Sequence, residues 1–536
     1  MPSFAITLFS LLLASPALAA SAEDWSTRSI YQLVTDRFAT SNDSSTPCDT
    51  SRRTFCGGSW SGIGNHLDYI QEMGFDAIWI SPVATNVERT AYGDGYHGYW
   101  SRDIDTISPH FGTPDDLKAL SAAVHKRGMF LMLDVVVNHY AGIPTNTTAS
   151  GGFTFDYASF VPLGTQADFH SQCFISDYAN QTDVEQCWLG DENLPLPDVN
   201  TEDPAVVATM NQWIKGLVAN FSADGVRIDT VKHIRHDFWS GFTASAGVFT
   251  LGEVLTYDAK YAASYLDAVD AVLEYPAFYG LNTAFGSPYL SALLNSPSLA
   301  SLAPANVSSS PALSAAFLEN HDQPRFPSYT SDLALIKNAM VWPFVGDGIP
   351  ILYYGQEQGY QGDGDPSNRE ALWLSGYETN KPLVAHVTAL NAARKLAIAR
   401  NASFLTGRAY WIPQPNLSSL MLAKPPLLAL LTNAGANASV QPTWNIPAGQ
   451  YAPNTTLVDV LACVPVVLDG AGPGGATVVR AQAGRPQVLV PASMLRAGGG
   501  ACPARAAGGS GAAAWVRGGR GMLAVVGAVL AVFALV

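Results

Sequence analysis

Charge is scarce in this chain: Asp, Glu, Lys and Arg make up only 14% of 536 residues. That fits a secreted, glycosylated surface better than a cytosolic one. Basic residues are the scarcer sign, 29 against 44 acidic, for a formal charge of -15. A surface so acidic argues against nucleic acid or another polyanion as partner and leaves neutral ligands open. The six cysteines come without a C-x-x-C spacing or a His-rich tract, which argues against zinc. No repeat of solenoid length is present.

Hydrophobic residues are plentiful at 48%, enough for a large core and more than one domain. Twelve Trp and 21 Tyr suit a sugar-binding protein, though they suit a large core equally well. Residues 1–20, "MPSFAITLFSLLLASPALAA", end in the small-residue pattern Ala17-Leu18-Ala19 and predict a signal peptide cleaved near Ala19 or Ala20. An N-terminal membrane anchor is the plain alternative, for which the apolar run is short. Cys48, Cys56, Cys173, Cys187, Cys463 and Cys502 suggest three local bridges between order-adjacent residues, other pairings being formally open. Sequons at Asn42, Asn146, Asn180, Asn220, Asn306, Asn401, Asn416, Asn437 and Asn454 point the same way. Residues 504–536 read as a Gly/Ala-rich stalk and an apolar tail, "MLAVVGAVLAVFALV". As a helix that tail reaches only about 22 Å, short of a membrane core of about 30 Å. The small residues Ser510, Gly511 and Ala512 upstream of it predict a glycolipid (GPI) anchor signal, with Gly508 or Gly509 as other attachment points.

Between these ends, eight short apolar runs recur, each followed by a polar cluster and a helix-like stretch. They are "SIYQLVTDRF", "FDAIWISP", "GMFLMLDVVVNH", "DGVRIDTVKH", "FTLGEVL", "AVDAVLEYP", "LSAAFLENHD" and "GIPILYYGQE". Continuous apolar strands alternating with helices predict an α/β fold, a (β/α)8 barrel over residues 21–139 and 200–402. Residues 140–199, with Thr/Asn/Gly-rich loops and Cys173 and Cys187, read as a subdomain inserted after the third strand. Residues 403–503 change to short runs broken by Gly and Pro, predicting a C-terminal all-β sandwich.

Asp134, Asp229, Glu253, Glu319 and Asp322 all fall at or just past the ends of these runs. Crowded carboxylates repel and raise one another's pKa, so stability gains nothing from them. Binding a hard metal or breaking a glycosidic bond would use them. Arg227 lies two positions before Asp229, hence on the same face of a strand, where it can hold Asp229 ionised as a nucleophile. Glu253, ending the apolar run "TLGEV", is expected to be raised and to donate a proton. A structural Arg–Asp pair explains Asp229 alone equally well; it does not explain Glu253 and Asp322 in matching places.

The segments "DVVVNH" (134–139), "GVRIDTVKH" (225–233), "GEVL" (252–255) and "FLENHD" (317–322) resemble, in order and spacing, the four signature segments of the α-amylase family of glycoside hydrolases. The likeness is closest to secreted fungal members and runs from about Trp25 to Cys502. It implies a retaining double displacement with Asp229 as nucleophile, Glu253 as acid/base and Asp322 as the third carboxylate. It also implies sugar contacts from His97, Tyr99 and Trp100 in "AYGDGYHGYWSRD", and from His139, Arg227 and His321. Lys232 and His233 would serve the leaving-group side, and Asp365 with Arg369 the non-reducing side; an Asp–Arg pair at this spacing is also an ordinary helix ion pair. A Ca2+ ion is implied, held by Asn138, Glu185, Asp198 and the main-chain carbonyl of His233. The resemblance pairs Cys48–Cys56, Cys173–Cys187 and Cys463–Cys502. The chain departs from the secreted fungal enzymes in two ways: no cysteine lies between Cys187 and Cys463, where those enzymes have another bridge, which implies a more mobile or a reshaped loop after Glu253, and it carries the anchor-like tail.

The implied activity is endo-hydrolysis of α-1,4-glucosidic bonds in a starch-like α-glucan, by a monomer that meets a membrane only through its lipid. One alternative is a wall-anchored glucanotransferase acting on cell-wall α-glucan; the presence of both His139 and His321 favours hydrolysis. An inactive glucan-binding protein on the same fold is the other, and the three intact carboxylates argue against it.

Overall fold

The structure is a computed structural model of the chain and describes residues 20–147, 153–286, 314–495 and 502. Most of the predicted signal peptide, the sequon at Asn306 and the anchor-like tail lie outside the described residues. Among the described residues, no helix is long and apolar enough to cross a membrane.

Each of the eight apolar runs contains one strand: β1 (Ile30–Leu33), β2 (Ala77–Ile80), β3 (Phe130–Val135), β4 (Gly225–Ile228), β5 (Phe249–Gly252), β6 (Ala271–Leu273), β7 (Ser314–Ala316) and β8 (Ile349–Tyr353). They close into a barrel in the order β1-β8-β7-β6-β5-β4-β3-β2, every neighbouring pair parallel. Both strand faces are buried, which is why the runs are continuous rather than alternating. One set, including Ile30, Ala77, Met132, Leu251, Leu273, Ala315 and Ile351, fills the barrel interior. The other, including Tyr31, Ile78, Leu133, Val226 and Leu352, packs under the surrounding helices. Trp25 closes one end of the barrel: a Cβ on Gly225 would stand 2.9 Å from its ring, so only glycine fits there.

The helices carry their own start signals. Thr113 caps Pro114–Lys126, accepting from the Asp116 N–H while the Asp116 carboxylate accepts from Thr113. Asp203 caps Pro204–Phe221 by accepting from the Ala205 N–H, with proline in the first turn.

Between β3 and Pro204 the chain forms small hairpins and the helix Gln181–Gln186, tied by the Cys173–Cys187 disulfide. This rim also takes in an excursion after β2: Ala84–Asn86 pairs with Ser101–Ile107, and Ile104 N donates to Val161 O at 3.0 Å. A boundary at 139/140 therefore cuts through one continuous layer, because β2 contributes to it as well as β3. The C-terminal region is a six-stranded antiparallel sheet facing a two-stranded one, with Met421, Leu430, Trp444, Val479 and Leu489 buried in their common core. It docks on the barrel through a buried Lys424–Asp347 ion pair and through Asn338, whose Oδ1 accepts from Thr432 N at 2.8 Å. Cys48–Cys56 and Cys463–Cys502 form the remaining disulfides.

Candidate active site

Following the inward-facing register up the strands turns apolar residues into polar ones. Met132 is succeeded by Asp134, Gly225 by Arg227 and Asp229, Leu251 by Glu253, and Leu273 by Tyr275. The barrel register sets Arg227 beside Asp134. The polar ends therefore meet at the C-terminal mouth of the barrel, where this architecture gathers its chemistry.

Arg227, fully buried, organises the cluster. Its Nη1 donates to Asp229 Oδ1 at 2.7 Å and Asp134 Oδ1 at 3.0 Å, and its Nη2 lies 2.9 Å from Glu253 Oε2. Asp134 also accepts from Trp79 Nε1 (2.9 Å) and the Tyr99 hydroxyl (2.7 Å), so it anchors the guanidinium and is itself saturated. Glu253 accepts from Thr230 N (3.1 Å) and the Tyr275 hydroxyl (3.1 Å). Thr230 makes that contact from a left-handed backbone, φ +50°, a strained setting for a β-branched residue and one typical of reacting centres.

Protonation differs from the sequence expectation. Burial pushes Asp229 well above the usual carboxylate range; Arg227 offsets this only in part, and the charges of Glu253, Asp134 and Asp322 add to it. Burial also pushes Glu253 up, but Arg227, Thr230 N, the Tyr275 hydroxyl and a hydrogen bond with Asp229 outweigh that and hold it below the usual range. The two carboxyls are thus linked through the guanidinium they share. The end of an apolar strand does not by itself raise Glu253, because three donors converge there that the strand pattern does not reveal.

Asp322 opens into the cleft, His321 Nε2 standing 3.2 Å from its Oδ2 and Arg369 Nη2 3.6 Å from its Oδ1. Gln32 Nε2 lies 2.9 Å from His321 Nδ1; an amide nitrogen can only donate, which puts the ring proton on Nε2, facing Asp322. Burial drives His97, His139 and His321 below their ordinary value, His139 to about 4, so all three are neutral hydrogen-bonding groups. The Tyr99 ring stacks on His321 with centroids 4.9 Å apart, and Trp100 meets His97 edge-on at 4.5 Å. Gly98 between them has φ +96°, and a Cβ there would strike Pro82 O at 2.6 Å. These rings, with the carboxylates, Asp365, Arg369 and Arg53, line a cleft of about 320 Å³. Arg369 Nη1 is 3.0 Å from Asp365 Oδ1, and Arg53 bonds the same carboxylate from the other side.

Lys232 and His233 are not among the lining residues. Lys232 Nζ donates to Leu255 O at 2.9 Å and so ties the turn after Asp229 to the loop after Glu253. Glu319 turns away to a buried pair with Arg325 (3.1 Å). Sequence reasoning missed Arg53, Trp79, Tyr275, Gln32 and Thr230. Trp79 was discoverable, since it shares the inward register of β2; Arg53 lies in a loop without any signal.

The remaining predicted set joins the insertion to the barrel. His139 bridges Asp198, and Val199 N donates to Asn138 O at 2.9 Å. The Oδ1 atoms of Asn138 and Asp198 are both buried without a hydrogen-bond partner. Gln181 Nε2 donates to Glu185 Oε1 (2.7 Å) and to Lys232 O (2.9 Å), holding Glu185 against the turn that carries His233. Among the described residues no three His, Cys, Asp or Glu side chains converge as a metal group. This set would draw half its oxygens from an amide and a main-chain carbonyl, which suits a hard cation.

Comparison with known proteins places this architecture. The α-amylase catalytic-domain family model matches residues 32–392, and the α-amylase domain C model matches residues 419–508. The chain belongs to the α-amylase family. Within the family it is 42% identical over 492 residues to α-amylase 1 of Schwanniomyces occidentalis, covering 90% of this chain and 93% of that one. It is 48% identical over 392 residues to α-amylase 1 of Lipomyces kononenkoae; that match covers 72% of this chain but only 61% of the longer relative. Among solved structures, an α-amylase from Malbranchea cinnamomea superposes with a TM-score of 0.83 at 43% identity, over 90% of this chain and 99% of the other.

Proposed function

We propose that the protein hydrolyses internal α-1,4-glucosidic bonds of starch-like glucans with retention of configuration. The observation that carries this reading is that Asp229 and Glu253 sit on one guanidinium, Asp229 Oδ1 2.7 Å from Arg227 Nη1 and Glu253 Oε2 2.9 Å from Nη2. An inverting pair stands about 6.5–9.5 Å apart to admit a water, a retaining pair about 5–5.5 Å; two carboxylates on one guanidinium favour the closer arrangement, in which one is the nucleophile. Asp229 attacks the anomeric carbon, assisted by Arg227 Nη1 and Thr230 Oγ1, while Glu253 protonates the departing oxygen. Water then attacks the anomeric carbon and gives its proton to Glu253, while the bond to Asp229 breaks and its electron pair returns to the carboxylate. For the first step Glu253 must hold the proton, and a glycosidic oxygen accepting from it favours that state. Asp322, with neutral His321, receives sugar hydroxyls and offsets positive charge at the anomeric centre.

Asn138, Glu185, Asp198 and the His233 carbonyl would hold Ca2+, which when bound supplies a fixed charge pinning the insertion to the barrel mouth; the two orphaned Oδ1 atoms support this. The N-terminal run, the sequons and the small-residue segment before the tail support secretion, glycosylation and a glycolipid anchor, on an enzyme that acts as a monomer. Release of the protein from cells by a phosphatidylinositol-specific phospholipase would test the anchor. The catalytic reading is tested by proton NMR of fresh products from maltoheptaose. α-Anomers are expected first; β-anomers first, or products mostly longer than the substrate, would overturn retaining hydrolysis.

A further inference from the structure

One exposed aromatic near Glu253 has no part in the core. Tyr257 lies on the loop after β5 and is 77% exposed. Its ring stacks on Tyr279, centroids 4.0 Å and planes 27° apart. Tyr279 is half-buried on the helix Tyr275–Gly286, its ring 6.2 Å from that of Tyr275, whose hydroxyl donates to Glu253 Oε1. Three rings thus step outward from Glu253 to solvent.

Their position relative to the cleft gives them a side. β5 stands across the closed barrel from β1. Arg53, Asp365 and Arg369 come from the segments after β1 and β8, so they border the opposite wall of the cleft from the loop that bears Tyr257. Lys232 Nζ fixes that loop through Leu255 O. Sugars held by the Arg53–Asp365–Arg369 group extend one way from the cleaved bond. Tyr257 lies the other way, where the leaving chain departs and an acceptor would arrive. Tyr279 covers one face of its ring and fixes its orientation, leaving the rest open to the apolar C–H face of a pyranose.

We propose that Tyr257, braced by Tyr279, is a stacking platform for glucosyl units on the leaving-group side, and that it raises the share of glycosyl-enzyme captured by a sugar instead of water. This rests on the retaining mechanism above. In capture, an acceptor hydroxyl oxygen bonds to the anomeric carbon, the bond to Asp229 breaks with its electron pair staying on the carboxylate, and Glu253 takes the hydroxyl proton. A sugar stacked on Tyr257 offers its hydroxyl at high effective concentration; water needs no such seat.

The test compares wild type, Tyr257→Ala and Tyr257→Phe on maltoheptaose and on an aryl α-maltotrioside, whose leaving group is a single aryl ring. In Tyr257→Ala the ratio of kcat/KM for maltoheptaose to that for the aryl trioside is expected to fall about five- to tenfold, the scale of one aromatic stacking contact. The fraction of products longer than maltoheptaose falls with it, and Tyr257→Phe, which keeps the ring, stays near wild type in both. The platform is overturned if Tyr257→Ala keeps the wild-type ratio and transfer fraction, or if it loses both substrates in equal proportion, as damage to Glu253 would. A wild-type protein that cleaves neither substrate would overturn the α-glucan reading itself, and the platform with it.

Discussion

Asn138 Oδ1 and Asp198 Oδ1 are both buried without a hydrogen-bond partner at the junction of barrel and insertion, where His139 bridges Asp198. Buried acceptors left unpaired cost about 1–3 kcal/mol each, more when charged, and the Ca2+ proposed above would offset that cost. Chelation with EDTA is expected to lower the melting temperature, and added Ca2+ to restore it. At a free concentration 1,000 times its Kd, the ion would contribute about 4 kcal/mol. Asp198→Ala should melt low whether or not Ca2+ is added. Calorimetry of both proteins with and without the ion checks this; a melting temperature indifferent to EDTA would refute it.

Asp229→Asn separates catalysis from folding. The amide keeps shape and loses the nucleophile, so kcat should fall by about 10⁴ or more. Because burial and its neighbours hold Asp229 well above the ordinary carboxylate range, its charge costs stability, and the neutral amide removes that cost. The variant is expected to melt at or above the wild-type temperature while binding maltooligosaccharide. Substantial residual turnover would show that another group attacks the sugar.

Arg227 has the opposite balance. Replacing it with Leu strands Asp134, Asp229 and Glu253 in a buried cluster with no cation among them. Breaking a buried ion pair from one side costs about 3–5 kcal/mol, and here three carboxylates lose their partner together. Urea unfolding should show at least that loss, with activity gone as well.

The strand pattern made the barrel legible because both faces of every strand are buried, and it located Asp229, Glu253 and Asp322 because inward register and strand end are properties of sequence. The mouth was only partly legible. Arg53 reaches Asp365 from a loop more than three hundred residues earlier, a contact that no local pattern encodes. The excursion after β2 pairs with the insertion through Asp103 and Val161, so the rim layer is assembled from two segments that the sequence presents separately. The surroundings of Glu253 were hidden for the same reason: besides Arg227, it accepts from Thr230 N and the Tyr275 hydroxyl, donors placed by the fold.

Gly98 tests how tightly the sugar-contact segment is held. Its φ of +96° and the Pro82 carbonyl, 2.6 Å from where a Cβ would sit, leave no room for alanine. Gly98→Ala should cost about 1–3 kcal/mol and displace His97 and Tyr99 together. A loss of activity larger than the loss of folded protein, measured on the same sample, would separate the two effects.

Stability should also fall as pH rises toward neutrality. Asp36 and Glu319 are fully buried and each pushed up to about 7, by burial against the partial offsets of Arg37 and Arg325. Unfolded, they would titrate near 3.8 and 4.5. Between those values and about 7 the native state binds more protons than the unfolded chain, so its stability declines as pH rises through that window. Above about 7 both groups are ionised in either state and their contribution is flat. The melting temperature should therefore drop between pH 5 and about 7.5 at constant salt and Ca2+. Glu319→Gln, which cannot titrate, should flatten the decline; an unchanged slope in that variant would assign the effect to other groups.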